Sequence, residues 1–118
     1  MGNIPFQKIE VWKKSILLTK KIYKATDSFP KSEAFDLISQ LRRASVSIPS
    51  NIAEGSQRGT KKDFAHFLII AKGSLAEVQT QIILSQELGF LSEKISKDLL
   101  LLADDIGKMI YGFIKNIS

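Results

Sequence analysis

The chain has no cysteine, a single histidine and only three prolines in 118 residues. Without cysteine there is no disulfide framework, no thiolate metal site and no cysteine nucleophile, which suits a reducing cytoplasm. The lone histidine, His66, is equally restrictive. A di-iron carboxylate bundle needs two Glu-x-x-His motifs, whereas this chain offers one Asp63-x-x-His66. No Ser/His/Asp set is readable around it. The glycine-bearing stretch Gly55-Ser-Gln-Arg-Gly59 lacks the lysine–hydroxyl pair of a phosphate-binding loop. The N-terminal MGNIPFQKIEVWKK has no apolar segment of signal-peptide type, and Phe6 stands where a myristoylation signal at Gly2 would place Ser or Thr. No later run reads as membrane-spanning. These absences lead us to expect a protein that is not an enzyme, uses no metal or cofactor and contacts no membrane.

What the chain does have is charge in one place. The formal charge is +5. Residues 1–31 hold seven lysines against Glu10 and Asp27, and each later segment is close to neutral. The excess therefore belongs to the first helical segment and creates a directional field facing an anionic partner.

The length fits one domain, residues 1–118, and glycine and proline punctuate it sparsely. Breaks at 27–30, 55–60 and 89–92 leave four helical runs, about 7–28, 31–57, 60–88 and 92–117. Pro30 suits a first helical turn. Thr60 with Asp63, and Ser92 with Glu93, read as N-terminal caps, and Gly89 reads as a left-handed C-terminal stop. In the first run Ile9, Trp12, Ile16, Thr19 and Tyr23 form one apolar seam beside Val11, Leu18 and Ile22. Lys13, Lys14, Lys20, Lys21 and Lys24 occupy the opposite arc with Leu17 exposed among them. The last run carries a seam of Ile95, Leu99, Leu102, Ile106, Met109, Phe113 and Ile117.

The third run differs. Phe64, Phe67, Leu68, Ala71, Leu75, Val78 and Ile82 make one core face, yet Ile69, Ile83, Ile70, Leu84 and Leu88 cover further sides. A helix of a four-helix monomer leaves about half its circumference to water, so this surplus calls for a partner or copies of the chain. Long helices with short connections predict an all-α, up-down-up-down four-helix bundle that assembles as a homo-oligomer.

The second run bears QLRRASVSIPSNIAEG (residues 40–55). Leu37, Leu41, Ala44, Ile48 and Ile52 face the core. Pro49 removes one backbone donor and crowds the carbonyl of Ser45, so a bend is expected, with Ser45, Ser47 and Ser50 available to satisfy freed groups. Arg43, Ser47, Asn51, Glu54 and Arg58 make a polar stripe of i,i+4 pairs, either solvated or part of a subunit seam. Arg42 is expected to point elsewhere, its stem over apolar surface near Phe35 and Val46.

Val11-Trp12, Tyr23, Phe29-Pro30, QLRRASVSIPSNIAEG, Phe64, GSLAEVQTQ (73–81) and Leu88-Gly89-Phe90-Leu91 together resemble the four-helix-bundle proteins encoded in bacterial 23S ribosomal RNA intervening sequences. These are also called the S23 ribosomal protein family. The chain is similar, more distantly, to accessory proteins of diversity-generating retroelements. The resemblance implies a homopentamer in the bacterial cytoplasm with no catalytic residues, and it marks Arg42, Arg43, Pro49, Asn51, Glu54, Gly55 and Gly73 as motif positions. The expected function is an oligomeric nucleic-acid- or RNA-associated module. Its contacts would be phosphate contacts from Lys13, Lys14, Lys20, Lys21 and Lys24, supplemented by Arg58, Lys61 and Lys62. The alternative is a scaffold docking another protein on the apolar surplus or the oligomer rim.

Overall fold

The computed structural model describes residues 5–33 and 35–117, so Gly2 lies outside the described residues. Four α-helices carry the fold: α1 Glu10–Thr26, α2 Leu37–Ser56, α3 Lys61–Glu87 and α4 Glu93–Ile117. No strand occurs among the described residues. Short 3-10 turns, Phe6–Lys8 and Lys31–Glu33, precede α1 and α2. Both helices therefore start later than the spacing suggested. After Pro30 comes that 3-10 turn, bonded from Glu33 N–H to the Pro30 carbonyl at 2.9 Å, and a further turn at 35–36 before α2 begins.

The caps are largely as read. The Thr60 hydroxyl accepts the Asp63 N–H at 3.1 Å, and the Ser92 hydroxyl accepts the Ile95 N–H at 3.1 Å, each satisfying a donor that an open helix end would waste. Gly89, at φ +83°, ends α3 with a paired closure. Phe90 N–H reaches the Ser85 carbonyl at 2.8 Å, and Gly89 N–H reaches Gln86 at 2.9 Å. The turn then folds Phe90 against Phe29 of the α1–α2 connection, ring centres 5.5 Å apart, which ties both loops at that end of the bundle.

Helix contacts run α1–α2, α2–α3, α3–α4 and α4–α1, with none across either diagonal. The arrangement is a square, antiparallel bundle of 43 × 23 × 20 Å. Leu18, Ile22, Leu41, Ile48, Ile52, Leu68, Val78, Ile82, Ile106 and Ile110 fill its centre, none more than 1% exposed. Two registers differ from the sequence reading. In α1 the Val11, Leu18, Ile22 seam is the core, and Trp12 and Ile16 lie half-buried beside it. In α4 Ile95 is exposed, and the core line passes through Ser96, Leu99, Ala103, Ile106 and Ile110.

Pro49 lies inside α2, which continues through it to Ser56. The carbonyl it orphans, that of Ser45, is not satisfied by a neighbouring serine. Thr19 of α1 donates its hydroxyl to it at 3.0 Å, while the Ser45 hydroxyl turns to the Arg42 carbonyl. A helix that lost one internal bond thus gains one to its neighbour.

Candidate nucleic-acid interface

The lysine arc of α1 is set by the helix geometry. With Val11, Ser15, Leu18, Ile22 and Thr26 buried, 100° per residue turns Lys13, Lys20 and Lys24 directly away from the core. Lys14 and Lys21 lie on the flank towards α4, and Leu17, 40% exposed, sits between the two rows. Lys13, Lys20, Lys21 and Lys24 are exposed and Lys14 half-buried. Of the five lysines of the arc, only Lys13 makes an ion pair, to Glu10 at 3.3 Å. Asp98 of α4 shares the α1–α4 groove with Lys21 and Lys24 without reaching ion-pairing distance.

The three further basic candidates divide. Lys61 and Lys62 are exposed in the first turn of α3, at the bundle end where α1 starts. Arg58 is engaged: it meets the Glu54 carboxylate at 2.6 Å and lies 4.8 Å over the Phe67 ring. That ion pair matches the i,i+4 reading, and its exposure on both sides keeps its worth to tenths of a kcal/mol, about 0.3–0.5 for such pairs.

The polar stripe of α2 resolves into intrachain contacts. Asn51 donates to the Ser47 carbonyl at 2.8 Å and hydroxyl at 3.0 Å, and the Ser47 hydroxyl shares a 2.8 Å bond with that of Ser74 on α3. Arg43 does not pair with Ser47; it is exposed and reaches only the Ser39 hydroxyl, at 3.4 Å. Arg42 also departs from expectation. Instead of lying along Phe35 and Val46, it crosses to the end of α1. There it donates to the Thr26 hydroxyl (2.9 Å), the Tyr23 carbonyl (3.2 Å) and Asp27 (3.0 Å), with its guanidinium 4.6 Å over the Tyr23 ring. The planar fork serves a helix end whose carbonyls need donors, and lysine cannot reproduce that geometry. Arg42→Lys is therefore expected to cost about 1–3 kcal/mol in urea unfolding, the main loss being the bonds that the charged guanidinium donates to the Thr26 hydroxyl and the Tyr23 carbonyl.

The glycines of the motif positions behave oppositely. A Cβ at Gly55 would stand 2.6 Å from Phe67 Cβ and 3.2 Å from Phe64 Cδ1, so this buried glycine lets α2 and α3 approach closely. A Cβ at Gly73 would meet nothing within 4 Å.

A model of the 23S rRNA-intervening sequence protein family matches residues 7–112. The chain belongs to this family. In fold it is similar to a protein of unknown function from the S23 ribosomal protein family of Bacteroides thetaiotaomicron. The TM-score is 0.80 and the identity 24%, over 89% of this chain and 98% of that one. No functionally curated protein matches the chain. Among the described residues, no group of three or more His, Asp or Glu side chains is placed to hold a metal ion. His66 is exposed and packs edge-on to the ring of Phe67.

Three features escaped the sequence reading. Thr19 as the partner of the Pro49 defect had no signal beyond its place in an otherwise apolar seam. Phe35 is 99% exposed, although its residue type gives no hint of it. Helix α3 is also long and apolar enough, over one 18-residue window, to cross a membrane. One stripe of it nevertheless packs into the bundle between α2 and α4.

Proposed function

We propose that the chain is a non-enzymatic, self-assembling module that turns α3 towards copies of itself and presents the lysine face of α1 outwards to nucleic acid. One observation carries this reading: α1 and α3 are diagonal in the bundle, so their outward faces point in opposite directions. The outward arc of α1 is lysine. The outward arc of α3 is apolar or small along its middle, with Ile69 (57% exposed), Gly73, Ala76, Thr80, Ile83 (50%) and Leu84, while Lys62 and His66 lie at its start, Glu87 at its end, and Lys72 and Glu77 along its edges. The other outward faces are more polar: α4 shows Lys97, Asp104, Asp105 and Lys108 around a single exposed Leu101 (58%), with Tyr111 at its edge, and α2 shows Ser39, Arg43, Ser50 and Glu54, with Val46 at its edge. An apolar side facing inward and a basic side facing outward suit a closed ring around a common axis. Five copies is the number that the family resemblance implies. Docking of an unrelated protein on the same α3 face is the competing scaffold reading.

Light scattering at micromolar concentration tests the assembly. The wild-type chain is expected to show about five chain masses, and Ile69→Glu with Ile83→Glu to show one, with helical circular dichroism retained. Both positions are exposed in the single chain, where surface substitutions usually stay within about 0.5 kcal/mol. A monomeric wild type overturns self-assembly and favours the scaffold reading.

A further inference from the structure

We infer that the ligand fitting the α1 face is the phosphate backbone of a double helix and not a single strand; the inference rests on the reading of α1 as a nucleic-acid face. Single-strand binders combine cationic grooves with aromatic rings on which bases stack. The lysine arc offers no open ring, and the α1–α4 groove on its flank places Asp98 beside Lys21 and Lys24. Trp12 is turned to the α2 side, half-buried and edge-on to Phe6 with ring centres 5.4 Å apart. The Tyr23 ring, also on the α2 side and 41% exposed, already has one face taken by the Arg42 guanidinium. The only unoccupied side chain at the centre of the arc is Leu17, which can touch apolar edges but cannot stack.

The spacing is that of a rigid ruler. Lys13, Lys20 and Lys24 span about 16 Å of axis, at about 1.5 Å per residue, and Lys14 and Lys21 form a second row on the α4 flank. The face is a convex ridge with two lines of cations and Leu17 between them. A duplex is stiff over about 150 base pairs, so it brings both phosphate lines at fixed separation without further ordering. A flexible strand laid along the same ridge would have to be ordered, with no stacking to offset the cost. The arc carries no Arg, Asn or Gln for bidentate base readout, so its lysines act mainly as point charges on phosphate.

The test is fluorescence anisotropy of the full-length protein with a 20-mer single-stranded RNA free of secondary structure, a 20-base-pair RNA duplex and a 20-base-pair DNA duplex, at one fixed salt concentration. One or both duplexes should bind at least about tenfold tighter than the single strand, and the two duplex arms show whether A-form or B-form geometry is preferred. Lys13→Ser, Lys20→Ser and Lys24→Ser combined should flatten the plot of log affinity against log salt by up to about three phosphate contacts, each worth a slope of about 0.9. Phe35→Ala serves as the control, because that ring is the most exposed in the protein and the natural rival as a stacking platform. The inference is overturned if the single strand binds as tightly as the duplexes, or if Phe35→Ala weakens binding while the lysine variant does not. Binding to none of the three removes the nucleic-acid reading itself and leaves the assembly reading to its own test.

Discussion

Gly55→Ala is expected to destabilise the protein by about 1–3 kcal/mol, the range in which overpacking a tight site falls. The added methyl would lie 2.6 Å from Phe67 Cβ and 3.2 Å from Phe64 Cδ1. A Cβ is fixed to its backbone, so α2 and α3 must separate instead of one side chain swinging aside. The α2–α3 contact is the most extensive in the bundle, and Phe64 is buried there against Phe113 of α4 at 5.0 Å between ring centres. The better helix propensity of alanine, about 1 kcal/mol over glycine, opposes this loss and is included in the range. Gly55→Val adds bulk and removes that offset, so it should cost more. Gly73→Ala is the matched control on α3. With nothing within 4 Å of its Cβ, it should stabilise the single chain by about 0.5–1 kcal/mol. Urea melts of both variants in the monomeric Ile69→Glu, Ile83→Glu background should give opposite signs. Equal, small effects would show that the close approach at Gly55 yields without cost. If the α3 face packs against copies as proposed, Gly73→Ala should also reduce the oligomer fraction while its monomer gains stability.

The parts of this architecture written in local pattern were open to sequence reasoning. Periodicity placed Leu68, Val78 and Ile82 inside and Ile69 and Ile83 outside because a helix assigns faces by arithmetic. Thr60, Ser92 and Gly89 announced their ends because capping is a contact between residues three or four apart. Contacts between distant segments were less accessible. Arg42 reaches Thr26 sixteen positions back, and Ser47 meets Ser74 across the α2–α3 seam. Neither spacing is fixed by one helix, since each depends on how two helices are offset in the bundle. The lysine arc was legible as an arc. Its opposition to the apolar face of α3 needed the bundle's diagonal, which no single helix contains.

Thr19→Val is expected to cost about 1–3 kcal/mol in the natural background and much less once Pro49 is replaced by alanine. Valine keeps the shape of threonine but removes the hydroxyl donor. That proton has two carbonyls at 3.0 Å, those of Ser15 and Ser45. The Ser15 carbonyl is served by its own helical ladder, whereas the Ser45 carbonyl has lost its donor because Pro49 carries no N–H. Removing the hydroxyl leaves a half-buried seam with an unsatisfied acceptor, and the penalty for such a group is larger than the net gain of an ordinary hydrogen bond. In Pro49→Ala the alanine N–H lies one turn from Ser45 and restores the ladder, so Thr19 becomes dispensable there. A double-mutant cycle on urea unfolding should therefore return a coupling of about 1–2 kcal/mol between two residues on different helices. Thr19→Ser, which keeps the donor, should recover most of the stability lost in Thr19→Val. Equal costs for Thr19→Val with proline or alanine at position 49 would mean that the Ser45 carbonyl is satisfied by another route, and the α1–α2 seam would then owe nothing to the defect that Pro49 creates.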